Sequence, residues 1–417
     1  MEVKRDLYLQ KLIDRKHNGM IKVVTGIRRC GKSYLLFELF YRHLISEGVS
    51  ADHIIKVDLE DRRLNHLRNP DALLAYIDGL MVDTDMYYIL LDEVQNVTEF
   101  EDVLNSYLKV KNADVYVTGS NSKFLSTDVV TRFRGRGDEV RVYPLRFSEF
   151  VSVRSGSTVL AFDEYITFGG LPHILTLNTV EQKSNYLKNL FDETYLKDIK
   201  ERYTITRDAE LEDLLNIISS GIGSLTNPNK LAATFNSVKK VKLSNETIKT
   251  YLHHMCDAFI VDKALRYDVK GKKYMLTPYK YYFTDLGLRN ARLNFRQLEP
   301  SHLMENVIYN ELCCRGLNVD VGVVQSFKQD KNGERCRVQL EVDFVCNQGS
   351  RRYYIQSAYR MDSPEKQEQE LASLLKIDDS FKKIVIVGNE SLVHHDLNGI
   401  TTMSIYDFLL HDNSLEF

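Results

Sequence analysis

Along the first 150 residues, short apolar runs alternate with stretches whose apolar positions recur every three or four residues. Residues 21–25 (IKVVT), 54–59, 87–91, 114–118 and 139–142 are predicted as strands. Their continuous apolar character suits a parallel sheet covered on both faces. Between them, Leu36, Leu39, Phe40 and Leu44 predict a helix over 33–46 that stops at Gly48. A second helix follows Pro70, with Leu73, Leu74 and Ile77 on one side, and a third covers 100–110. Strand and helix in strict alternation predict an α/β domain.

From about residue 147 to 220 the pattern turns helical, and 181–202 is its longest run free of Gly and Pro. Pro228, in the first turn after Thr226 and Asn227, predicts a helix with Leu231, Ala232 and Phe235 on its apolar side. Another helix begins at Ser244 or Asn245 and carries Ile248, Tyr251, Leu252 and Met255. A hairpin spans 259–282. Helix, helix and hairpin in this order predict a winged helix. The last 120 or so residues return to mixed α/β, with a helix around 304–312 and strands at 339–346, 353–358 and 383–387. The expected organisation is therefore an α/β core at 1–150, a helical lid or bridge at 151–225, a winged-helix-like segment at 226–295 and a further α/β domain at 296–417.

Composition narrows the class. Hydrophobic residues make up 43% and charged residues 27% of 417 positions, which fits a globular chain with real cores. No run approaches the ~18–20 apolar residues of a membrane span, and the charged N-terminus lacks a secretory apolar stretch. The expectation is a cytoplasmic protein without membrane contact. Six cysteines show neither CxxC pairs nor zinc spacing and read as buried or incidental thiols. Cys30 falls inside the loop described next, where modification of an accessible thiol would block a ligand.

That loop carries the chemistry. Gly26-Ile27-Arg28-Arg29-Cys30-Gly31-Lys32-Ser33 fits G-x-x-x-x-G-K-[ST] between a predicted strand and a predicted helix. Glycines allow a tight turn whose backbone N–H groups wrap phosphates at the positive end of the following helix. Lys32 is expected at the β/γ-phosphates and the Ser33 hydroxyl on Mg²⁺. About sixty residues on, the apolar strand YILL ends in Asp92-Glu93. Asp92 is expected to serve the metal, and Glu93 to orient or deprotonate the attacking water. These residues predict ATP and Mg²⁺ as ligands. A guanine-reading N-K-x-D is absent: Asn229-Lys230 runs into Leu231-Ala232.

Two further groups are candidates. After the strand 114–118, Ser120 or Asn121 is placed to sense the γ-phosphate, against the competing reading of a helix cap at Ser122. Before the strand 139–142, Arg136 is the first candidate and Arg134 the second for an arginine acting on a neighbouring subunit's nucleotide; the competing reading is a solvated basic loop. Together GIRRCGKS, YILLDEVQ, VTGSNS, the Gly135-Arg136 pair leading into VRVYPLRFSEF, and Phe168-Gly169-Gly170-Leu171-Pro172 resemble the prokaryotic AAA+ ATPases with a C-terminal restriction-endonuclease-like module of unknown function. The resemblance spans nearly the whole chain. It implies an ASCE-type sheet, in which the metal-binding acid has a catalytic Glu beside it, and a site completed by a second protomer in a homo-oligomer.

In the last domain, Glu305, Glu341-Val342-Asp343 and the strand 353–358 resemble a PD-(D/E)xK nuclease core. Glu305 and Asp343 match acidic positions, while Gln356 stands at the second acid and Ala358 at the lysine. Nuclease chemistry needs converging carboxylates on Mg²⁺ and a cation at the scissile phosphate, so no nuclease activity is expected. Between Thr226 and Lys280, eleven Lys/Arg face four acids, a net +7 within a chain of −3. Such a segment suits the DNA backbone, although winged helices also dock proteins. The pair His253–His254 has no ligand-spaced neighbour and reads as polar surface or a partly buried pair. Three function classes follow: an ATP-driven machine acting on a partner such as DNA, a slow nucleotide-dependent switch, and a DNA-binding regulator.

Overall fold

The computed structural model describes residues 2–119, 133, 135–205, 207–239, 243–329, 335–389 and 392–417. The chain divides into two compact units. The first comprises Met1–Pro144 with Leu171–His173 and Asp257–Phe259; the second comprises Leu145–Gly170, Ile174–Cys256 and Ile260–Phe417.

Five parallel strands form the sheet of the first unit: β1 (Ile21–Thr25), β2 (Ile54–Asp58), β3 (Tyr87–Asp92), β4 (Ala113–Thr118) and β5 (Gly137–Arg141), in the order β2-β3-β4-β1-β5. β1 and β3 are buried at every position, as expected for strands covered on both faces. Their helices form for local reasons. Asn69 caps Pro70–Leu80 by accepting from the Ala72 N–H at 3.0 Å, with proline at the first helical position. The helix Phe100–Tyr107 buries Phe100, Val103, Leu104 and Tyr107, one face at helical spacing.

β1 is not wholly apolar. Lys22 is 0% exposed and forms an ion pair with Asp114 of β4, whose carboxylate also accepts from the Tyr116 hydroxyl. Burial pulls the Lys22 ammonium below its ordinary pKa, and Asp114 opposes that shift. A buried ammonium is tolerable because it is paired and hydrogen-bonded.

The second unit contains a mixed eight-stranded sheet. Its strands are β6 (Val261–Asp268), β7 (Lys273–Phe283), β8 (Asn318–Gln329), β9 (Arg335–Gln348), β10 (Arg351–Ala358), β11 (Lys382–Val387), β12 (His394–His395) and β13 (Ile400–Ser404), in the order β12-β13-β11-β10-β9-β8-β6-β7. The predicted hairpin is present as β6–β7, and Ile248, Tyr251, Leu252 and Met255 are buried on the helix Asn245–Asp257. The hairpin is not a separate wing, however. β6 pairs in parallel with β8, Arg266 opposite Val321 and Asp268 opposite Val323. The boundary expected between 295 and 296 therefore runs through one continuous sheet, because backbone groups at a strand edge are satisfied by another strand.

β8 is not among the strands read from the sequence. Its register with β9 shifts between Asp320 and Gly322, and a Cβ at Gly322 would lie 2.9 Å from Val342 Cβ and 2.8 Å from Val345 Cγ2. Glycine admits the close approach that an irregular pairing needs. The ring of His254 stacks on Tyr203 with centroids 3.4 Å apart; burial lowers its pKa to about 4, with His253 and Arg202 adding repulsion. Among the described residues no helix is long and apolar enough to cross a membrane.

Candidate nucleotide site

Each element of the site lies at the carboxyl end of a strand, where open α/β sheets bind their ligands. After Thr25 the chain turns through Gly26 (φ 136°), Arg29 (φ 62°) and Gly31 (φ 100°) and enters the helical segment Lys32–Tyr34, which continues as a wider π-type turn over Leu35–Phe40. Gly26 has no substitute: a Cβ there would sit 2.1 Å from the Val142 carbonyl oxygen. The Lys32 ammonium is buried and folds back over the loop, donating to the carbonyls of Gly26 (3.1 Å) and Ile27 (3.0 Å). Ile27 and Cys30 are buried, Arg28 half-buried, Arg29 and Ser33 exposed. The Cys30 thiol is 0% exposed and donates to the Val142 carbonyl at 3.4 Å, so the expected thiol sensitivity of this loop has no accessible sulfur behind it.

β4 lies between β1 and β3, and this order brings Asp92 to the loop. Asp92 is buried and accepts hydrogen bonds from the hydroxyls of Thr118 and Ser33. Burial raises its pKa above the usual carboxylate value, repulsion from Glu93 and Asp58 adds to the rise, and the two hydroxyls oppose it. Glu93 leaves the strand in a left-handed turn (φ 52°); its N–H donates to Thr118 Oγ1 at 3.1 Å, and its carboxylate accepts from the Gln95 side-chain amide.

Thr118 and Arg5 are absent from the sequence-derived candidates. Thr118 bonds the Asp92 carboxylate and the Glu93 backbone N–H, and only the strand order reveals it. Arg5, 3% exposed, donates to the Cys30 carbonyl at 2.9 Å and the Tyr143 carbonyl at 2.7 Å, fixing the phosphate loop from the N-terminal segment. No sequence motif marks it. Ser120, Asn121 and Arg134 lie outside the described residues. Arg136 is exposed, and its main chain bonds to Phe133 and to Ile21 at the start of β1. It therefore stands at the edge of the sheet opposite the phosphate loop.

The donor set suits the expected ligands. Three left-handed positions shape an N–H-lined turn, one ammonium is held by two backbone carbonyls, and a hydroxyl and a buried carboxylate converge as hard oxygen donors of the kind Mg²⁺ takes. Sheet order, loop and acid pair together are those of a P-loop nucleotide-binding domain of the AAA class. Residues 18–151 match the family described as AAA domain, and residues 159–299 match a domain of unknown function, DUF8612. An uncharacterized protein of Haemophilus influenzae is 32% identical over 415 residues, covering 98% of each chain; this chain belongs to the same family. Uncharacterized protein MJ1544 of Methanocaldococcus jannaschii is 27% identical over 93% of this chain and 86% of its own. The Aeropyrum pernix ORC1 protein, solved in complex with DNA, overlays at 12% identity on 70% of this chain and 93% of its own, with a TM-score of 0.29, too low to bear on function.

Proposed function

We infer that this protein binds Mg·ATP and hydrolyses it. The observation that carries the reading is the meeting of Lys32, Ser33, Asp92, Thr118 and Glu93 at the carboxyl ends of three neighbouring strands. The backbone of residues 26–33 wraps the phosphates, and Lys32 exchanges its two carbonyl bonds for β/γ-phosphate oxygens. Ser33 and Asp92 hold magnesium, which when bound neutralises charge on those oxygens. Glu93 orients the attacking water and accepts its proton. Thr118 keeps both acids in register. Ser120 or Asn121 is retained as the γ-phosphate sensor, and Arg136 as an arginine acting on the next protomer of a homo-oligomer.

Lys32→Ala tests the loop. A charge-assisted contact is worth ~1.5–3 kcal/mol, so Mg·ATP affinity measured by titration is expected to fall by about 10- to 100-fold. Unchanged uptake by folded Lys32→Ala protein removes the reading.

The partner on which the ATP cycle acts is proposed to be DNA. Two of the eleven basic residues counted in the sequence are not available for it: Arg266 is buried and donates to Gln339 at 3.2 Å, and Lys280 is buried among carboxylates. Lys270, Lys272 and Lys273 remain exposed around the β6–β7 turn. If these three meet phosphates, log affinity for duplex DNA falls against log salt with a slope of about −2.7, at roughly −0.9 per contact. A flat response to salt excludes this surface. The bond from Gln95 to Glu93 also supports a slow-switch reading, since the base must be released before it acts; ATPase rates with and without DNA separate the two.

A further inference from the structure

One cluster of titratable groups in the second unit is not used by the nucleotide chemistry. Lys280 of β7 places its ammonium nitrogen 2.9 Å from Glu305 Oε1, 2.7 Å from Glu341 Oε1 and 3.6 Å from Asp343 Oδ1. Glu305 comes from the helix Pro300–Cys314, and both other acids come from β9. Lys280 is 3% exposed. The Tyr282 hydroxyl donates to Glu305 Oε1 at 2.7 Å, and the Ser357 N–H to Asp343 Oδ2 at 2.9 Å. Gln356 accepts from the Asp343 N–H at 3.4 Å and donates to Glu370 at 3.2 Å. Ala358, at the position expected for a nuclease lysine, packs in an apolar cluster with Tyr354 and Val385.

Carboxylates gathered away from water need a cation. The structure supplies one from the chain itself, and an ammonium has three N–H donors to offer three acids. We propose that Lys280 is the resident cation of this acidic centre, filling the place between Glu305, Glu341 and Asp343 that a divalent metal would take, so that the module is metal-independent and does not cut phosphodiesters. Gln356 is a second, separate sign of the same exchange. An acid at 356 with a divalent ion, or an amide at 356 with a single ammonium, leaves the centre with the same net formal charge. Burial and repulsion from Glu305 push the Asp343 carboxyl up and Lys280 opposes that rise, while the three acids outweigh burial to raise Lys280. Two of its donors bond Glu305 and Glu341, and Asp343 lies 3.6 Å away, so Lys280 is committed to the acids rather than to a scissile phosphate.

The test is Mn²⁺ uptake by the full chain without nucleotide, followed by loss of the free-ion paramagnetic resonance signal. Wild type is expected to show no Mn²⁺ site that Asp343→Asn removes. Lys280→Ala is expected to gain one site, at least about tenfold tighter than any in wild type, and Lys280→Ala combined with Asp343→Asn to lose it. If Lys280→Ala melts early in EDTA, Mn²⁺ should restore its thermal midpoint; failure of Mn²⁺ to bind or rescue both Lys280→Ala and Lys280→Met overturns the proposal. So does an Asp343-dependent Mn²⁺ site in wild type, or Mg²⁺-dependent DNA cleavage by wild type that Asp343→Ala abolishes.

Discussion

Glu93→Gln is expected to bind Mg·ATP as tightly as wild type and to turn it over about 10²–10⁴-fold more slowly, the usual worth of a positioned base. Glutamine keeps the length and shape of the side chain, so the left-handed turn at 93 and the bond from its N–H to Thr118 survive. What it loses is the ability to take a proton from water. Loop and metal donors are untouched, which confines the effect to kcat. Nucleotide titration together with single-turnover hydrolysis measures the two quantities separately. Turnover at the wild-type rate would place water activation on another residue, and joint loss of binding would mean that the substitution disturbs Asp92.

Arg136→Ala is expected to lower ATP hydrolysis by about 10³–10⁵-fold in the assembled protein, the range measured for arginines supplied across an interface. Its own phosphate loop is out of reach. The five residues of β1 separate the Arg136 main chain, bonded to Ile21, from Gly26, a rise of roughly 15 Å. The guanidinium is exposed, so the remaining route to a γ-phosphate is on another copy of the chain. Mixing Arg136→Ala with Glu93→Gln protein should then recover activity that neither has alone, because some mixed sites pair an intact Glu93 with an intact Arg136. Hydrolysis at the wild-type rate by assembled Arg136→Ala removes the trans role.

The phosphate loop and the acid pair were legible in the chain because their chemistry is local. A glycine turn between strand and helix is contiguous, and Asp92-Glu93 ends a strand whose apolar run is unmistakable. The β7 lysine was not legible. Counted in sequence, Lys280 is one more positive charge in a basic segment; in the fold it pairs with Glu305, Glu341 and Asp343. Lys22 is a similar case, polar within a strand of buried residues and explained only by Asp114, 92 positions away. The hairpin was correctly expected as a hairpin, yet its edge belongs to β8, a pairing that no local pattern announces.

By itself, the order of residues determined the periodicities, and with them the strands of the first unit, most of the helices, the glycine loop and the strand tip that follows it. Backbone geometry and side-chain alternation act over a few positions, so they leave their mark in neighbouring letters. Tertiary structure alone decided that β4 lies between β1 and β3, placing Thr118 beside Asp92 and the Glu93 backbone, that Arg136 lies at the far end of β1 from its own nucleotide loop, and that Lys280 enters the acidic centre. Those outcomes depend on strand order and on where buried charges find partners, and both are set by contacts between residues far apart in the chain.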